Sequence, residues 1–290
     1  MSDDGHYGIT IIALIGSVFS SHYHWSGRGN PLNHCAMNVA LYRPRGSRWA
    51  MTERDSAAVD VTPTELTIGP SQMRWDGDAL VISIDETTCP LPTRLRGTIK
   101  LVPQALNRRA FALDAAGRHQ WWPIAPKARI EVDMINPSLR WSGAGYFDCN
   151  RGTEPLEAGF KSWNWCYARL KEGPAIFYDV TRRDGSKYAV AACCDASGTL
   201  VDLEPPPIGE LARTLWRMPR ATHADRGSQP RVLRTLEDAP FYSRSVVQSR
   251  IFGEETVGMH ESLCLERLSS KLVRLMIPFR NPRMRSPRPK

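Results

Sequence analysis

The sequence predicts an all-β protein built as two barrel-like domains in tandem. Three observations lead there. Short apolar runs recur along the chain with turn chemistry about every ten residues. Several runs alternate apolar and polar side chains with period two, as in Thr98-Ile99-Lys100-Leu101-Val102 and Arg129-Ile130-Glu131-Val132-Asp133. The 22 prolines and 21 glycines fall between such runs and disfavour long helices.

The elements follow in order. Ile9–Phe19, "ITIIALIGSVF", is β-branched and broken by glycine, so it reads as a buried strand. From Gly5 to Ser26 there is no Asp, Glu, Lys or Arg. The apolar run is nevertheless shorter than the about 20 residues a spanning helix needs. The acidic "MSDD" before it is not the basic start of a signal peptide. "SDDG" (Ser2–Gly5) is hairpin-turn chemistry with a single arm, so the first domain is expected to lack a strand that pairs with Gly8–Phe19. Strands are expected over Cys35–Arg43, Arg48–Asp55, Val59–Gly69, Leu95–Gln104, Ala128–Ile135 and Leu139–Cys149. Met73–Glu86 is a hairpin turning at Asp76-Gly77-Asp78. "GTEPLEAG" (Gly152–Gly159) reads as a linker, which sets the domains at residues 1–155 and 156–279. The second half continues with Trp163–Leu170, a meander over Pro174–Pro205, Arg213–His223, and three strands between Arg231 and Leu268. Leu268–Phe279 suits a short helix, and the basic, proline-rich residues 280–290 are expected to be disordered.

Composition narrows the function. Hydrophobic residues at 42% and charged residues at 23% belong to a globular chain. The formal charge of +8 is compatible with an anionic surface or with solubility alone. No zinc spacing, RNP-like strand or long basic helix accompanies it, so no nucleic-acid partner is expected. Seven cysteines without a CxxC pair point to a reducing compartment and buried thiols, not to disulfides or zinc. GxGxxG, Walker, GxSxG and HExxH motifs are absent, so no nucleotide, serine nucleophile or metal is implied and no cofactor is expected.

Two stretches carry candidate chemistry. In "GRHQWWPIAP" (Gly117–Pro126), His119 and Trp121 share one face of a strand and Trp122 takes the other. In "SGAGYFDCNRG" (Ser142–Gly152), Tyr146 and Asp148 are also two apart, beside glycines that permit close approach. If both faces point into one barrel, the site holds an imidazole, an indole, a phenol and a carboxyl. The competing reading is packing: tryptophans in the core, a solvated histidine at the turn, and Asp148 capping the next turn. "HYHW" (His22–Trp25) has two histidines without a nearby carboxylate or cysteine in sequence, which reads as an aromatic loop at a pocket mouth rather than a metal site. His34 is a further histidine that a strand would turn inward.

Longer motifs add a resemblance. "GITIIALIGSVFSSHYHW", "NHCAMNVALY", "RWAMTER", "MRWDGDALVISIDE", "FALDAAGRHQWWPIAP", "RWSGAGYFDCNRGTEPLE", "SWNW", "RTLEDAPFYSRS" and "HESLCLERLSS" together resemble the carotenoid 1,2-hydratase (hydroxyneurosporene synthase) family from Ser2 to Phe279. The resemblance implies two tandem lipocalin-like (calycin) β-barrels. It implies addition of water to the terminal C1–C2 double bond of acyclic carotenoids such as neurosporene and lycopene. It also implies a home in phototrophic bacteria that make spheroidene or spirilloxanthin. By motif the catalytic positions fall on His119, Trp121, Tyr146 and Asp148. The expected roles are Asp148 as a neutral carboxylic acid, Tyr146 bonding it or a water, Trp121 with Tyr146 facing the cation, and His119 orienting the water and taking its proton. Two departures stand out: relatives carry an aromatic strand before the "SDDG" turn, and Cys149 replaces a common serine or histidine. An acyclic carotenoid lies in the bilayer, so a cytoplasmic protein in peripheral contact with the inner or photosynthetic membrane is expected, through Leu268–Phe279 or the basic tail. A solvated tail is the alternative. A non-catalytic lipocalin-like carrier of a lipid or pigment is the other function class. It needs the apolar barrel but not the four polar and aromatic site residues together.

Overall fold

A computed structural model describes residues 1–195 and 197–284. Along the chain it has β1 (Gly8–Leu14), α1 (Ser21–Trp25), β2 (Cys35–Tyr42), β3 (Arg48–Ala50), β4 (Glu53–Arg54), β5 (Val59–Val61) and β6 (Glu65–Ile68). Then come β7 (Ser71–Trp75), β8 (Leu80–Thr87), β9 (Arg94–Pro103), β10 (Phe111–Ala112), β11 (His119–Asn136) and β12 (Leu139–Gly152). After the single turn α2 (Leu156–Gly159) follow β13 (Phe160–Arg169), β14 (Pro174–Arg182), β15 (Lys187–Cys194), β16 (Leu200–Asp202), β17 (Ile208–Leu211) and β18 (Arg220–His223). The chain closes with β19 (Arg231–Asp238), β20 (Tyr242–Ile251), β21 (Glu254–Cys264), α3 (Leu265–Leu268), α4 (Lys271–Met276) and β22 (Arg283–Met284).

These elements form two compact units interleaved in sequence. The first takes Met1–Pro103, Ala128–Gly145 and the chain from Arg274; the second takes Gln104–Lys127 and Tyr146–Val273. A division at residue 155 therefore falls inside the second unit, because β11 and β12 each contribute residues to both.

In the first unit, β1, β2, β4 and β22 make one small sheet, with β3 also on β2. All eight residues of β2 are buried, as a strand covered on both faces requires. β5 to β9 form an antiparallel meander that continues onto Ala128–Asn136. β8 and β9 alternate buried and exposed in register with their sequence pattern. The hairpin turns at Gly77, whose φ of 102° is open to glycine alone among common residues. The "SDDG" turn forms, and Ser2 bridges to Gly143.

The second unit is a seven-stranded antiparallel sheet in the order β16-β15-β14-β13-β21-β20-β19, with β17 and β18 as a separate hairpin. One face of β13 carries Cys166 and Ala168 into a core with Phe177, Leu211, Val247 and Ile251. The other carries Trp163, Trp165 and Tyr167, in register with Tyr178 of β14.

Several expectations change. "SHYHW" is a helix, α1, capped by Ser20 whose hydroxyl accepts from the Tyr23 amide; the aromatic loop reading missed that cap. Arg213–Pro219 is not strand; only Arg220–His223 is. Gly152–Gly159 is no free linker: a Cβ on Gly152 or Gly159 would stand 2.7 or 2.8 Å from the His119 ring. Of the expected disordered tail, Arg283–Met284 pair with β4, Arg283 forms an ion pair with buried Glu53, and Arg280 lies over Trp49. Residues 285–290 lie outside the described residues. All seven cysteines are free thiols, three of them buried.

Candidate active site

The turn before β11 fixes where its side chains begin. The Asp114 carboxylate accepts from the amides of Ala116, Arg118 and His119, and Gly117 closes the turn at φ 66°. From there period two buries His119 and Trp121, while Gln120 and Trp122 stay half-buried on the opposite face. Trp121 is fully buried, pinned between Phe111 (ring centroids 5.4 Å apart) and Tyr178 (5.3 Å).

Tyr146 and Asp148 share a face of β12, as their spacing predicts. Trp121 Nε1 donates to Asp148 Oδ2 at 2.8 Å, and the Tyr146 hydroxyl donates to the same oxygen at 3.0 Å. One carboxyl oxygen thus receives two neutral donors, and no ion pair to Asp148 occurs among the described residues. Burial pushes the Asp148 carboxyl up to about 6; the two hydrogen bonds pull it back, and the negative charge of Glu261 adds to the rise. Burial, followed by the charge of Asp148, holds the Tyr146 phenol well above its ordinary value, so it stays a donor. The Cys149 thiol is also pushed up by burial and remains protonated next to Asp148.

An aromatic wall faces this carboxyl. The Tyr146 ring packs 5.1 Å from Trp165 and 5.2 Å from Tyr167, which stack on each other at 6.3 Å. Tyr178 joins Trp121 to Trp163, 5.6 Å away, and its hydroxyl donates to Asn150 Oδ1. Each such pair adds about 0.5–1.5 kcal/mol beyond area burial. The wall is therefore a rigid support as well as a set of π-faces. Sequence reasoning singled out none of Trp163, Trp165, Tyr167 or Tyr178, although Trp163-Trp165-Tyr167 is a period-two aromatic run that marks one face of a strand.

His119 is brought to the same strand face but not onto Asp148. Its Nε2 meets Glu154 Oε1 at 3.2 Å, its ring lies 4.7 Å from Phe160, and its own amide is held by Asp114. Of the other histidines, His34 pairs with Glu53 at 2.7 Å in the first unit, and His22 sits edge-on to Trp25 in α1. So Trp121, Tyr146 and Asp148 form one hydrogen-bonded group, with His119 next along the strand.

The sequence of this chain matches the family model described as carotenoid hydratase CrtC over residues 11–289. The chain belongs to the carotenoid hydratase family. An acyclic carotenoid 1,2-hydratase of Thiocapsa roseopersicina is 51% identical over 288 residues, covering 98% of this chain and 71% of that protein. One from Cereibacter sphaeroides is 45% identical over 274 residues, covering 94% of this chain and 98% of its own. Among solved structures, a protein described as an AttH from Nitrosomonas europaea superposes with a TM-score of 0.58 at 16% identity, over 90% of this chain and 88% of that one. That likeness concerns the fold alone: this family member has the all-β, lipocalin-like architecture.

Proposed function

We propose that this carotenoid hydratase family member adds water across the terminal C1–C2 double bond of an acyclic carotenoid, with Asp148 as the acid. The observation that carries this is the double donation to one Asp148 oxygen. Oδ2 is filled by Trp121 and Tyr146, so the acid proton resides on Oδ1. A carboxyl met by neutral donors alone holds its proton well above the ordinary carboxyl range.

The reaction follows from that proton. Asp148 gives it to C2 of the alkene, whose π electrons form the new C–H bond and leave a tertiary cation at C1. Water adds to C1 and loses a proton, giving a tertiary alcohol. The faces of Trp121, Tyr146 and Trp165 hold the cation; such contacts contribute about 2 kcal/mol or more when water is excluded. His119, set between Glu154 and Phe160, fixes the start of the strand that presents Trp121.

The substrate resides in a membrane, and peripheral contact with it belongs to this reading. No helix among the described residues is long and apolar enough to cross a membrane. The α4 segment and the turn after it expose Leu272, Leu275 and Phe279 beside Lys271 and Arg280, a mix suited to an anionic bilayer surface. Flotation with anionic liposomes is expected to weaken for Leu275→Ser/Phe279→Ser; unchanged binding would dismiss this segment.

The test of the reaction is expression in a lycopene-making bacterium with pigment chromatography. New, more polar 1-hydroxylated pigments are expected with the native chain and not with Asp148→Asn. A coloured protein with unaltered pigment would mean a carrier instead.

A further inference from the structure

The aromatic wall carries a carboxylate that the mechanism above does not use. Glu261 of β21 stands directly opposite Trp165 of β13 on one side and Arg244 of β20 on the other. Directly paired residues of neighbouring strands share a face. Glu261 therefore belongs to the face of Trp165, against which the Tyr146 ring packs, and Tyr146 holds Asp148. A carboxylate on such a surface needs a fixed counter-charge. Arg244 supplies it: its side chain is 1% exposed, its Nε donates to Glu261 Oε1 at 2.8 Å, and its Nη1 donates to Glu237 at 2.6 Å. Glu261 itself keeps 16% of its side-chain surface accessible, enough to meet a water.

The site thus holds two carboxyl groups in opposite surroundings. Asp148 is met only by neutral donors among the described residues, whereas Glu261 is met by a guanidinium. Paired groups set apart in this way take the roles of acid and base. His119, the other candidate base, is engaged with Glu154.

We infer that Glu261 is the second catalytic carboxylate of the site, orienting the attacking water and accepting its proton. This rests on the hydration reading of Asp148. In full, Asp148 Oδ1 loses its proton to C2, a lone pair of water forms the C1–O bond, and the O–H bond so activated breaks toward Glu261. The proton then returns from Glu261 to Asp148 through water, so the cycle consumes one alkene and one water and yields one alcohol. The negative charge of Glu261 also faces the developing cation.

The experiment uses the full chain with lycopene in D2O, following both 1-hydroxylated product and deuterium in recovered lycopene by mass spectrometry. For Glu261→Gln, hydration is expected to fall at least about 100-fold in kcat with KM little changed. Deuterium should still enter recovered lycopene, because Asp148 still delivers it to C2 and rotation about C1–C2 in the uncaptured cation lets the original hydrogen be lost on reversion. Glu261→Asp, which keeps the charge opposite Arg244, should recover part of the rate and covers the case in which the Gln variant does not fold. Hydration within threefold of the native rate in the Gln variant overturns the assignment, as does an Asp variant no faster than the Gln variant, or joint loss of hydration and deuterium uptake in a folded variant. If the native chain itself yields no hydroxylated pigment, the hydration reading fails, and that result is separate from any effect at Glu261.

Discussion

Two carboxyl groups, Glu53 fully buried in the first unit and Asp148 half-buried in the second, show how the same chemical group is put to opposite uses. Glu53 in the first unit is fully buried, receives the Ser20 hydroxyl at 2.7 Å and the Arg283 guanidinium, and lies 2.7 Å from His34 Nδ1. Among the described residues, Asp148 in the second unit receives an indole N–H and a phenol O–H and no charged donor. The first arrangement ties a charge to the groups that neutralise it and holds β4, β22 and the chain after β1 together. The second solvates the carboxyl without neutralising it. Burial makes ionisation expensive there, and no cation among the described residues pairs with it. Partner type, more than depth, separates a structural carboxylate from an acid.

The largest effect is expected at Asp148. Asp148→Asn keeps an oxygen that accepts from Trp121 and Tyr146 but has no acid proton, and turnover on lycopene should fall by about 10³-fold or more. The same variant should be more stable than the native chain at neutral pH. The unfolded chain releases this proton near the ordinary carboxyl value, whereas the folded chain holds it to about 6. Between those limits the folded state binds more protons, so stability falls as pH rises through the window and levels off above it. The loss at neutral pH is about 3 kcal/mol, and thermal melts of Asp148→Asn should lack it. Melts of the variant that show the same pH dependence as the native chain would break the contrast with Glu53.

Next in size is the structural member of the pair. Arg283→Met leaves the Glu53 charge buried with His34 and Ser20 alone, and should destabilise the first unit by about 3–5 kcal/mol. Activity per folded molecule should be unchanged, which a denaturant titration run beside a pigment assay will separate. A smaller effect sharpens the comparison from the other side. Trp121→Phe removes one donor that favours the ionised carboxylate, so Asp148 should hold its proton to higher pH, at a net loss of about 1–2 kcal/mol of binding and cation stabilisation. The smallest is read on the native protein. Because the protonated form is the active one, kcat/KM should fall as pH rises through about 6 in the free enzyme. A profile that rises across that range would contradict the acid role.

Much of this was legible where information is local. The hairpin at Asp76-Gly77-Asp78, the alternation of β8 and β9, and the pairing of His119 with Trp121 and of Tyr146 with Asp148 all follow from period two and turn chemistry. What was not legible depends on partners far apart in the chain. Arg283 reads as part of a free basic tail until it meets Glu53, 230 residues away. Glu261 carries no local signal; its place opposite Trp165 and Arg244 is set only when β21 lies between β13 and β20. Gly152–Gly159 looks like a linker because its glycines resemble flexibility, whereas they make room for the His119 ring. The α1 helix was hidden because "SHYHW" has no apolar period, although its Ser20 cap was in plain sight.

The double donation to Asp148 Oδ2 has a stereochemical consequence. With one oxygen occupied from both sides, the proton departs from a single, fixed lobe of the other, so the alkene is approached on one face only. In heavy water the new C2 methylene should therefore carry its label at one prochiral position, and the alcohol would record the handedness of the site in a carbon that is otherwise not a stereocentre.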